Sequence, residues 1–337
     1  MISIKMILGI VGYSRNSKNS KRRLHMRHYH NLLYVSHGTA DETEGLKQAL
    51  SLARNNEAPL KVLVVSPEFP KEFPDYRKKY EESLLAEAEA SIKTTKEALK
   101  LEEGLVDISI EMVSDKTPAI KIIQHVVQDG HDLVIKESEP RDKKGGFKAI
   151  DMDLLRKCPC AVWLCRPIKH SRQDIRVAVA IDPESQEPAA EALSKRMLEL
   201  SGSLAESCSG ELHIVSCWDY QFESYLQGNP WVKIPDAEIA ETVSHAQHEH
   251  RAVLESLIKA SGISGKHHVH HLRGDADKQV PDFVKQEKID ILVMGTVART
   301  GIPGFMTGNT AENIVQKLTC SLMALKPQGY ISPVKAY

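Results

Sequence analysis

The sequence predicts an α/β protein built from two tandem doubly wound domains, each with a five-stranded parallel sheet. Short, continuous apolar runs alternate with longer helical segments, a pattern typical of parallel strands covered on both faces. The order of these segments restarts near Arg176. Lys157 and Cys160 recur 160 residues later as Lys317 and Cys320, and the sequences around the two pairs are similar. The sequence therefore indicates an internal duplication.

The composition is that of a globular protein. The chain has 337 residues, enough for two domains, with 42% hydrophobic and 26% charged residues. A formal net charge of −1 gives no reason to expect nucleic acid or acidic membranes as partners. No apolar run approaches the ~20 residues of a membrane span. We therefore expect no nucleic-acid and no membrane partner.

The six cysteines mostly lie inside or beside apolar runs, and none forms a C-x-x-C pair. This usage indicates reduced, buried thiols. Cys158-Pro159-Cys160 could be a redox pair, but cysteines at a helix-to-strand junction are more often simple core residues. We interpret them as core.

Residues 1–29 are predicted to be a disordered tail or a misassigned start. An apolar patch over 6–11 precedes a basic run over 18–23, the reverse of the order in a signal peptide. Met26 immediately precedes the first predicted strand, so the first 25 residues could be upstream sequence.

The first domain is predicted over residues 30–168. Its strands are expected at 31–36, 60–66, 106–113, 132–136 and 161–165, and its helices at 39–56, 76–101, 118–128 and 151–157. The second of these helices is rich in Glu, Lys and Ala, which suits a helix packed on one face and solvated on the other.

The second domain is predicted over residues 174–334, after a polar linker at 167–174. Its strands are expected at 177–181, 212–216, 267–272, 291–294 and 322–325, and its helices at 187–208, 236–260, 275–286 and from Asn309 onward. A loop containing Trp218 and Trp231 is predicted before the long second helix.

The segment 289–327 combines a buried strand, a glycine-rich loop and a helix start. The loop glycines are Gly295, Gly301, Gly304 and Gly308. Glycines allow close backbone approach, and the N–H groups of a helix start favour phosphate. Asn309 is predicted as the N-cap, with Glu312 completing a capping box. The segment has neither the Lys-[Ser/Thr] end of a P-loop nor a G-x-G-x-x-G motif. The alternative to a phosphate-binding loop is therefore a glycine-rich turn that leads into a surface helix.

This segment resembles the universal stress protein family. Nucleotide-binding members follow a strand with G-x-x-G, nine residues and G-[S/T]. Here Gly295 fills the first place, Ala298 stands at the second glycine, and residues 299–307 lead to Gly308-Asn309. The wording GTVARTGIP…GNTAE and the tail KPQGYISPV look like the tandem members of the E type. Ala298 and Asn309 depart from the nucleotide-binding pattern.

The resemblance implies an adenine nucleotide alpha-hydrolase-like fold for both domains, with ATP or AMP as a candidate cofactor of the second. The resemblance also implies that the first strand of the second domain ends in Asp182 and that this residue contacts adenine or ribose. The carboxyl edge of the sheet should gather the candidate ligand-binding residues, which are Asp182, Gly274, Met294, Gly295, Ala298, Gly308, Asn309 and Thr310. Asp182-Pro183 could equally just start a turn.

The first domain is expected to be degenerate as a ligand site. His37-Gly38 stands where the second domain has Asp182-Pro183, and Ile150-Asp151 replaces Gly-[Ser/Thr] at the helix start. A carboxylate there would repel a phosphate. Lys143 and Lys144 could hold another anion or be simply solvated.

The run His267 to His271 suggests a metal hypothesis. His268 and His270 would share one face of a strand, with no carboxylate or thiolate close in sequence. His245, His248 and His250 on the long helix could approach. We interpret the run as surface strand histidines, and we predict no metal site and no catalytic residue.

These observations predict a non-enzymatic cytoplasmic stress-response protein that acts through protein partners or a bound small anionic ligand, with a homodimer left open. The resemblance implies a role in survival under stress or DNA damage and in motility or adhesion. The alternative is a switch that binds ATP or AMP in the second domain, in a fold that can host slow nucleotide hydrolysis.

Overall fold

The computed structural model describes residues 28–38, 42–138, 147–185, 187–228, 231, 234–296 and 308–336. In the first half, strands alternate with helices: β1 (Leu32–Ser36), α1 (Thr43–Asn56), β2 (Leu60–Ser66), α2 (Pro74–Ala98), β3 (Ile108–Ser114), α3 (Pro118–Asp129), β4 (Leu133–Glu137), α4 (Ala149–Lys157) and β5 (Ala161–Cys165).

The second half repeats this order after a 3₁₀ turn at Arg172–Asp174. Its elements are β6 (Arg176–Ala180), α5 (Pro188–Cys208), β7 (Glu211–Trp218), α6 (Glu223–Gly228), α7 (Asp236–Ala260), β8 (His267–Arg273), α8 (Ala276–Gln286), β9 (Ile291–Gly295), α9 (Asn309–Lys317) and β10 (Ser321–Leu325).

The strands form one ten-stranded sheet in the order β3-β2-β1-β4-β5-β10-β9-β6-β7-β8. Within each half the neighbours are parallel, whereas β5 and β10 pair antiparallel, with Trp163 opposite Met323. The predicted fold class, two tandem five-stranded parallel sheets, is confirmed. Joining the two sheets covers one otherwise open edge of each.

The core lies on both faces of this continuous sheet. Strands β1, β5 and β10 are buried along their whole length, as their continuous apolar runs predict. One apolar cluster covers each face, and each cluster contains residues of both halves. The proposed division of the chain at residues 168–174 remains a prediction.

The start of the folded chain lies within the predicted tail. Residues 1–27 lie outside the described residues. Tyr29 is buried, and its backbone N–H donates to Asn56 Oδ1 on α1. The His28 backbone N–H donates to the same oxygen, so two residues assigned to the tail, His28 and Tyr29, contact α1.

Two local predictions about element ends are wrong. Strand β7 extends to Trp218, and part of the predicted loop after it forms the short helix α6. Gly308, not Asn309, is the N-cap of α9, and no side chain caps this helix. The expected capping box does not form because the N-cap is a glycine, which has no side chain, and Glu312 is one residue beyond the N3 position. The Glu312 carboxylate instead pairs with the Arg156 guanidinium of the first half.

The chain after β10 ties the second half to α4. Lys326, Tyr330 and Ser332 donate hydrogen bonds to the carbonyls of Leu155, Arg156 and Lys157, respectively. The last carbonyls of a helix have no partner within the helix. The C-terminal segment therefore supplies the hydrogen bonds that the end of α4 lacks.

Across the described part of the chain, no helix combines the length and the apolar character needed to cross a membrane.

Candidate ligand-binding site

A cavity of about 530 Å³ opens at the carboxyl edge of the second half. The strand order reverses here, since β6 lies between β7 and β9. Ligands of open α/β sheets bind in the crevice at this reversal. The topology therefore makes this cavity the first candidate for a functional site.

The cavity gathers five of the eight predicted residues. Asp182, Met294, Gly295, Gly308 and Thr310 line it. Gly274 follows β8 and Asn309 begins α9 with an exposed side chain, and neither is among the lining residues. Ala298 lies outside the described residues. The ligand-binding role of this set stays a prediction.

Gly295 lets α5 pack closely against the end of β9. A Cβ atom at this position would lie 3.2 Å from Leu193 Cδ2 and 3.8 Å from Met197 Sδ. Leu193 and Met197 also line the cavity. A side chain at position 295 would therefore displace part of the cavity wall.

Helix α9 directs its N-terminus at the cavity. Gly308, Thr310 and Ala311 of its first turn are part of the wall. The N–H groups and dipole of a helix N-terminus favour a negatively charged group. The cavity is thus suited to an anion at this end.

Asp182 follows strand β6. The sequence left open whether this residue starts a turn or borders a ligand site, and the structure is compatible with both. Asp182 Oδ1 accepts a hydrogen bond from the Glu184 backbone N–H at 3.1 Å, as in an Asx turn. Its side chain also borders the cavity. The turn holds the carboxylate at the rim.

The remaining wall is mostly apolar, with a few polar groups. Its hydroxyls come from Ser185, Ser194 and Thr310, and its thiol from Cys217. Burial raises the pKa of the Cys217 thiol to about 11, so the thiol is neutral near pH 7. Among the described lining residues, Asp182 is the single carboxylate. The chemistry fits binding of a ligand with an apolar body and an anionic end.

Sequence reasoning missed Leu193, Met197, Cys217 and Ala311 among the lining residues. No local motif marks Leu193 and Met197, which reach the site because α5 packs across the sheet edge. Ala311 carried a usable signal, since it lies 160 residues after Asp151 in the duplicated sequence.

At the same edge of the first half, Glu137 takes the place of Gly295. Glu137 is opposite Cys165 in β5, and Gly295 is opposite Leu325 in β10. The Gly45 backbone N–H, in the first turn of α1, donates to Glu137 Oε2 at 2.7 Å. The Glu137 carboxylate therefore occupies the space at the N-terminus of α1.

Lys136 and Asp151 form a buried ion pair beside it. Lys136 Nζ lies 3.0 Å from Asp151 Oδ1, and the two side chains are 0% and 1% exposed. By position in strand and helix, they correspond to Met294 and Ala311 of the second half. Asp151 lies in the first turn of α4, where the sequence places a carboxylate.

A third carboxylate occupies the end of β1. The His37 backbone N–H donates to Glu42 Oε1 at 2.9 Å, and the Ser36 hydroxyl donates to Glu42 Oε2. His37 is the residue aligned with Asp182. Lys143 and Lys144, the alternative anion ligands, lie outside the described residues.

The histidine run lies on the edge strand β8, where its side chains are half-buried rather than fully exposed. Phe283 of α8 and His250 of α7 contact neighbouring histidines of this strand, whose side chains point to opposite faces. His270 Nε2 lies 3.0 Å from His213 Nδ1, and the His270 ring packs on Phe283 of α8. On the other face, His271 Nε2 lies 2.8 Å from His250 Nδ1 of α7.

These pairs predict that acid destabilises the protein. Burial lowers the pKa of His213, His250, His270 and His271 below 6.5. Below about pH 6.5 the unfolded chain takes up protons that the folded chain does not bind, so the free energy of unfolding should fall with pH. Each histidine contributes a slope of up to about 1.4 kcal/mol per pH unit.

The measurement is urea unfolding between pH 8 and pH 5, with His213→Phe as the variant. Below pH 6.5, the free energy of unfolding of the variant should fall less steeply with pH than that of the natural protein. Above pH 6.5, the difference in free energy of unfolding between the two proteins should not change with pH. An unchanged slope in the variant would show that His213 does not cause the decline.

Glu111, His125 and Asp129 form a group that could ligate a metal, far in sequence from the histidine run. One ligand atom from each lies within 4.8 Å of the others. Lys61 Nζ already binds Glu111 Oε2 at 2.9 Å and Asp129 Oδ2 at 2.8 Å. The hydrogen bond from Lys61 lowers the pKa of Asp129. A metal would have to displace this ammonium group.

Comparisons with known proteins agree with the duplicated fold. The model of the universal stress protein family matches residues 28–166 and again 175–326. Universal stress protein E of Photorhabdus laumondii is 28% identical over 320 residues, which cover 92% of this chain and 99% of that protein. Universal stress protein E of Escherichia coli K12 is 28% identical over 318 residues, covering 92% and 98%.

Solved structures show the same fold. A functionally unknown protein of Pseudomonas aeruginosa PAO1 superposes with a TM-score of 0.68 at 22% identity, covering 90% of this chain and 94% of that one. A universal stress protein of Archaeoglobus fulgidus gives a TM-score of 0.57 at 16% identity, covering 88% and 96%. The chain belongs to the universal stress protein family, as a tandem protein similar over most of its length to universal stress proteins E.

Proposed function

We propose that this chain is a non-enzymatic, cytoplasmic stress-response protein whose second half binds a nucleotide-type ligand and whose first half does not. The main support is that the carboxyl edge of the sheet differs between the two halves. The second half has a cavity of about 530 Å³ beside Gly295. The first half has Glu137 and the buried Lys136–Asp151 pair at the corresponding positions.

The ligand would lie with its anionic group at the N-terminus of α9. Gly308 and Thr310 would contact that group, since helix N–H groups favour phosphate. Asp182 would repel phosphate but accept hydrogen bonds from sugar hydroxyls or from a base, so it would contact the other end. ATP or AMP has this chemistry.

Binding rather than hydrolysis is the favoured activity. Asp182 is the one carboxylate among the described lining residues, and no histidine borders the cavity among them. Hydrolysis needs a positioned base for the attacking water. Asp182 already accepts a hydrogen bond from the Glu184 backbone N–H, which makes it less suited to act as that base.

The ligand would act through α9, which contacts both halves. Thr310 and Ala311 face the cavity, while Glu312 pairs with Arg156 of the first half. A ligand that moves the first turn of α9 would alter the ion pair between Glu312 of the second half and Arg156 of the first. A protein partner or a second copy of the chain would detect that change.

The experiment is to purify the protein without added nucleotide, denature it and identify the released small molecules by mass spectrometry. We expect ATP, AMP or a related phosphate compound, together with a higher melting temperature in millimolar ATP–Mg or AMP. A ligand at a hundred times its Kd stabilises a protein by about 2.7 kcal/mol.

Gly308→Val is the matched variant. Gly308 has φ −61° and ψ 141°, which a β-branched residue adopts without strain. The variant should therefore fold normally and lose the thermal shift. No released ligand and no shift in the natural protein would refute nucleotide binding.

A further inference from the structure

Cys158 and Cys160 lie on either side of Pro159, where α4 ends and β5 begins. Their Sγ atoms are 3.6 Å apart. A disulfide has an S–S distance of about 2.05 Å, so closing the pair needs a movement of roughly 1.6 Å. Cys158 is fully buried and Cys160 is half-buried. The geometry thus brings two thiols together at a site with limited access.

A buried cation lies beside the two sulfurs. Lys326 is 4% exposed, and its Nζ donates to the Leu155 carbonyl and lies 4.8 Å from the centre of the Tyr330 ring. Burial lowers the pKa of Lys326 to about 8, while the two cysteines act to raise it. A neighbouring ammonium group favours a thiolate.

The two thiols are not equivalent. Although burial acts in the opposite sense, hydrogen bonding from Cys160 lowers the pKa of the Cys158 thiol. The same hydrogen bond raises the pKa of the Cys160 thiol, as does burial. Within the pair, Cys158 is the candidate thiolate nucleophile, and Cys160, whose sulfur lies 3.6 Å away, is a neighbouring thiol that can resolve its oxidised form.

The duplication supplies an internal comparison. Leu318 and Cys320 of the second half correspond to Cys158 and Cys160, and both helix C-caps have φ −66° with extended ψ. Cys320 is buried, which raises its pKa to about 12. Leu318 supplies no second thiol, so the second half has a single thiol where the first half has a pair.

We propose that Cys158 and Cys160 form a reversible oxidation site for hydroperoxides. The Cys158 thiolate attacks the O–O bond, which forms an S–O bond and releases water from hydrogen peroxide after protonation. The Cys160 thiol then attacks the sulfenic sulfur, a second water leaves, and the S–S bond forms. The dithiol loses two electrons and two protons, and the peroxide is reduced. Exchange with an external thiol restores the pair.

The test treats the reduced full-length protein with hydrogen peroxide, blocks free thiols with N-ethylmaleimide, and maps the cysteines by mass spectrometry. We expect a peptide in which Cys158 and Cys160 are joined, while Cys320 carries the blocking group. The pair should react at least about tenfold faster than Cys320, because the thiolate is the reactive form. Dithiothreitol should return both cysteines to the blockable form.

Two variants separate the roles. Cys158→Leu introduces the residue of the second half and should leave Cys160 as unreactive as Cys320. Cys160→Ser should give a Cys158 sulfenic acid that dimedone traps, without a disulfide. Equal oxidation of Cys158, Cys160 and Cys320 in the natural protein would overturn the proposal, as would a disulfide with a different partner. This comparison within one molecule does not depend on the folding of either variant.

Discussion

Replacing Asp151 with alanine is expected to lower the free energy of unfolding by about 3–5 kcal/mol, because the substitution leaves the buried Lys136 without its counter-charge. Lys136 Nζ and Asp151 Oδ1 lie 3.0 Å apart, with both side chains at most 1% exposed. Burying an unpaired charge costs more than breaking an exposed pair. Urea unfolding, followed by tryptophan fluorescence, measures the change.

The same helix offers a matched control. Lys157 and Asp153 form a partly exposed pair on α4, with an N–O distance of 2.7 Å. Asp153→Ala should cost at most about 0.5 kcal/mol. The double variant Lys136→Met with Asp151→Leu should recover most of the loss from Asp151→Ala, because apolar residues of similar volume can replace a buried pair. Equal losses for Asp151→Ala and Asp153→Ala would show that the buried pair has no special role.

If the second half binds ATP or AMP as proposed, replacing Ala311 with aspartate is expected to lower the affinity about a hundredfold. The substitution transfers the carboxylate of Asp151 to the equivalent position of α9, at the wall of the cavity. Two like charges at about 5 Å repel by about 3 kcal/mol at an effective dielectric constant of about 20. This corresponds to about a hundredfold loss of affinity.

Isothermal titration of AMP or ATP–Mg into Ala311→Asp and Ala311→Asn gives the comparison. Asparagine has nearly the same size without the charge, so it should retain much more affinity. Aspartate in the first turn of a helix is favourable by about 0.3–1 kcal/mol, so folding should be preserved. Equal affinity in the two variants would place the anionic group of the ligand away from α9.

The strands and most helices could be predicted because burial on both faces leaves a clear sequence pattern. The prediction for β5, residues 161–165, and that for α7, residues 236–260, coincide with the observed bounds. The first strand of each half was within one residue at each end. Short α6 was missed because it has no buried residue, and therefore no apolar periodicity.

The site was only partly predictable because several of its properties depend on contacts between distant residues. The glycine loop and the reversal of strand order indicated the edge of the sheet at which the cavity lies. The predicted capping box was wrong because the N-cap of α9 is Gly308, one residue earlier than predicted, and glycine has no side chain. Glu312 is then available to Arg156 of the other half. The histidine pairs depend on His213 and His250, which approach β8 from β7 and α7. No spacing within the run at 267–271 carries that information.

The antiparallel pairing of β5 with β10 has a consequence during synthesis. Ala161 to Cys165 leave the ribosome about 160 residues before their partner strand. At about 5–20 residues per second, the wholly apolar β5 waits roughly 8–30 s with one edge unpaired. An unpaired apolar edge is a site for aggregation. During this interval the nascent first half exposes an edge that the finished sheet covers.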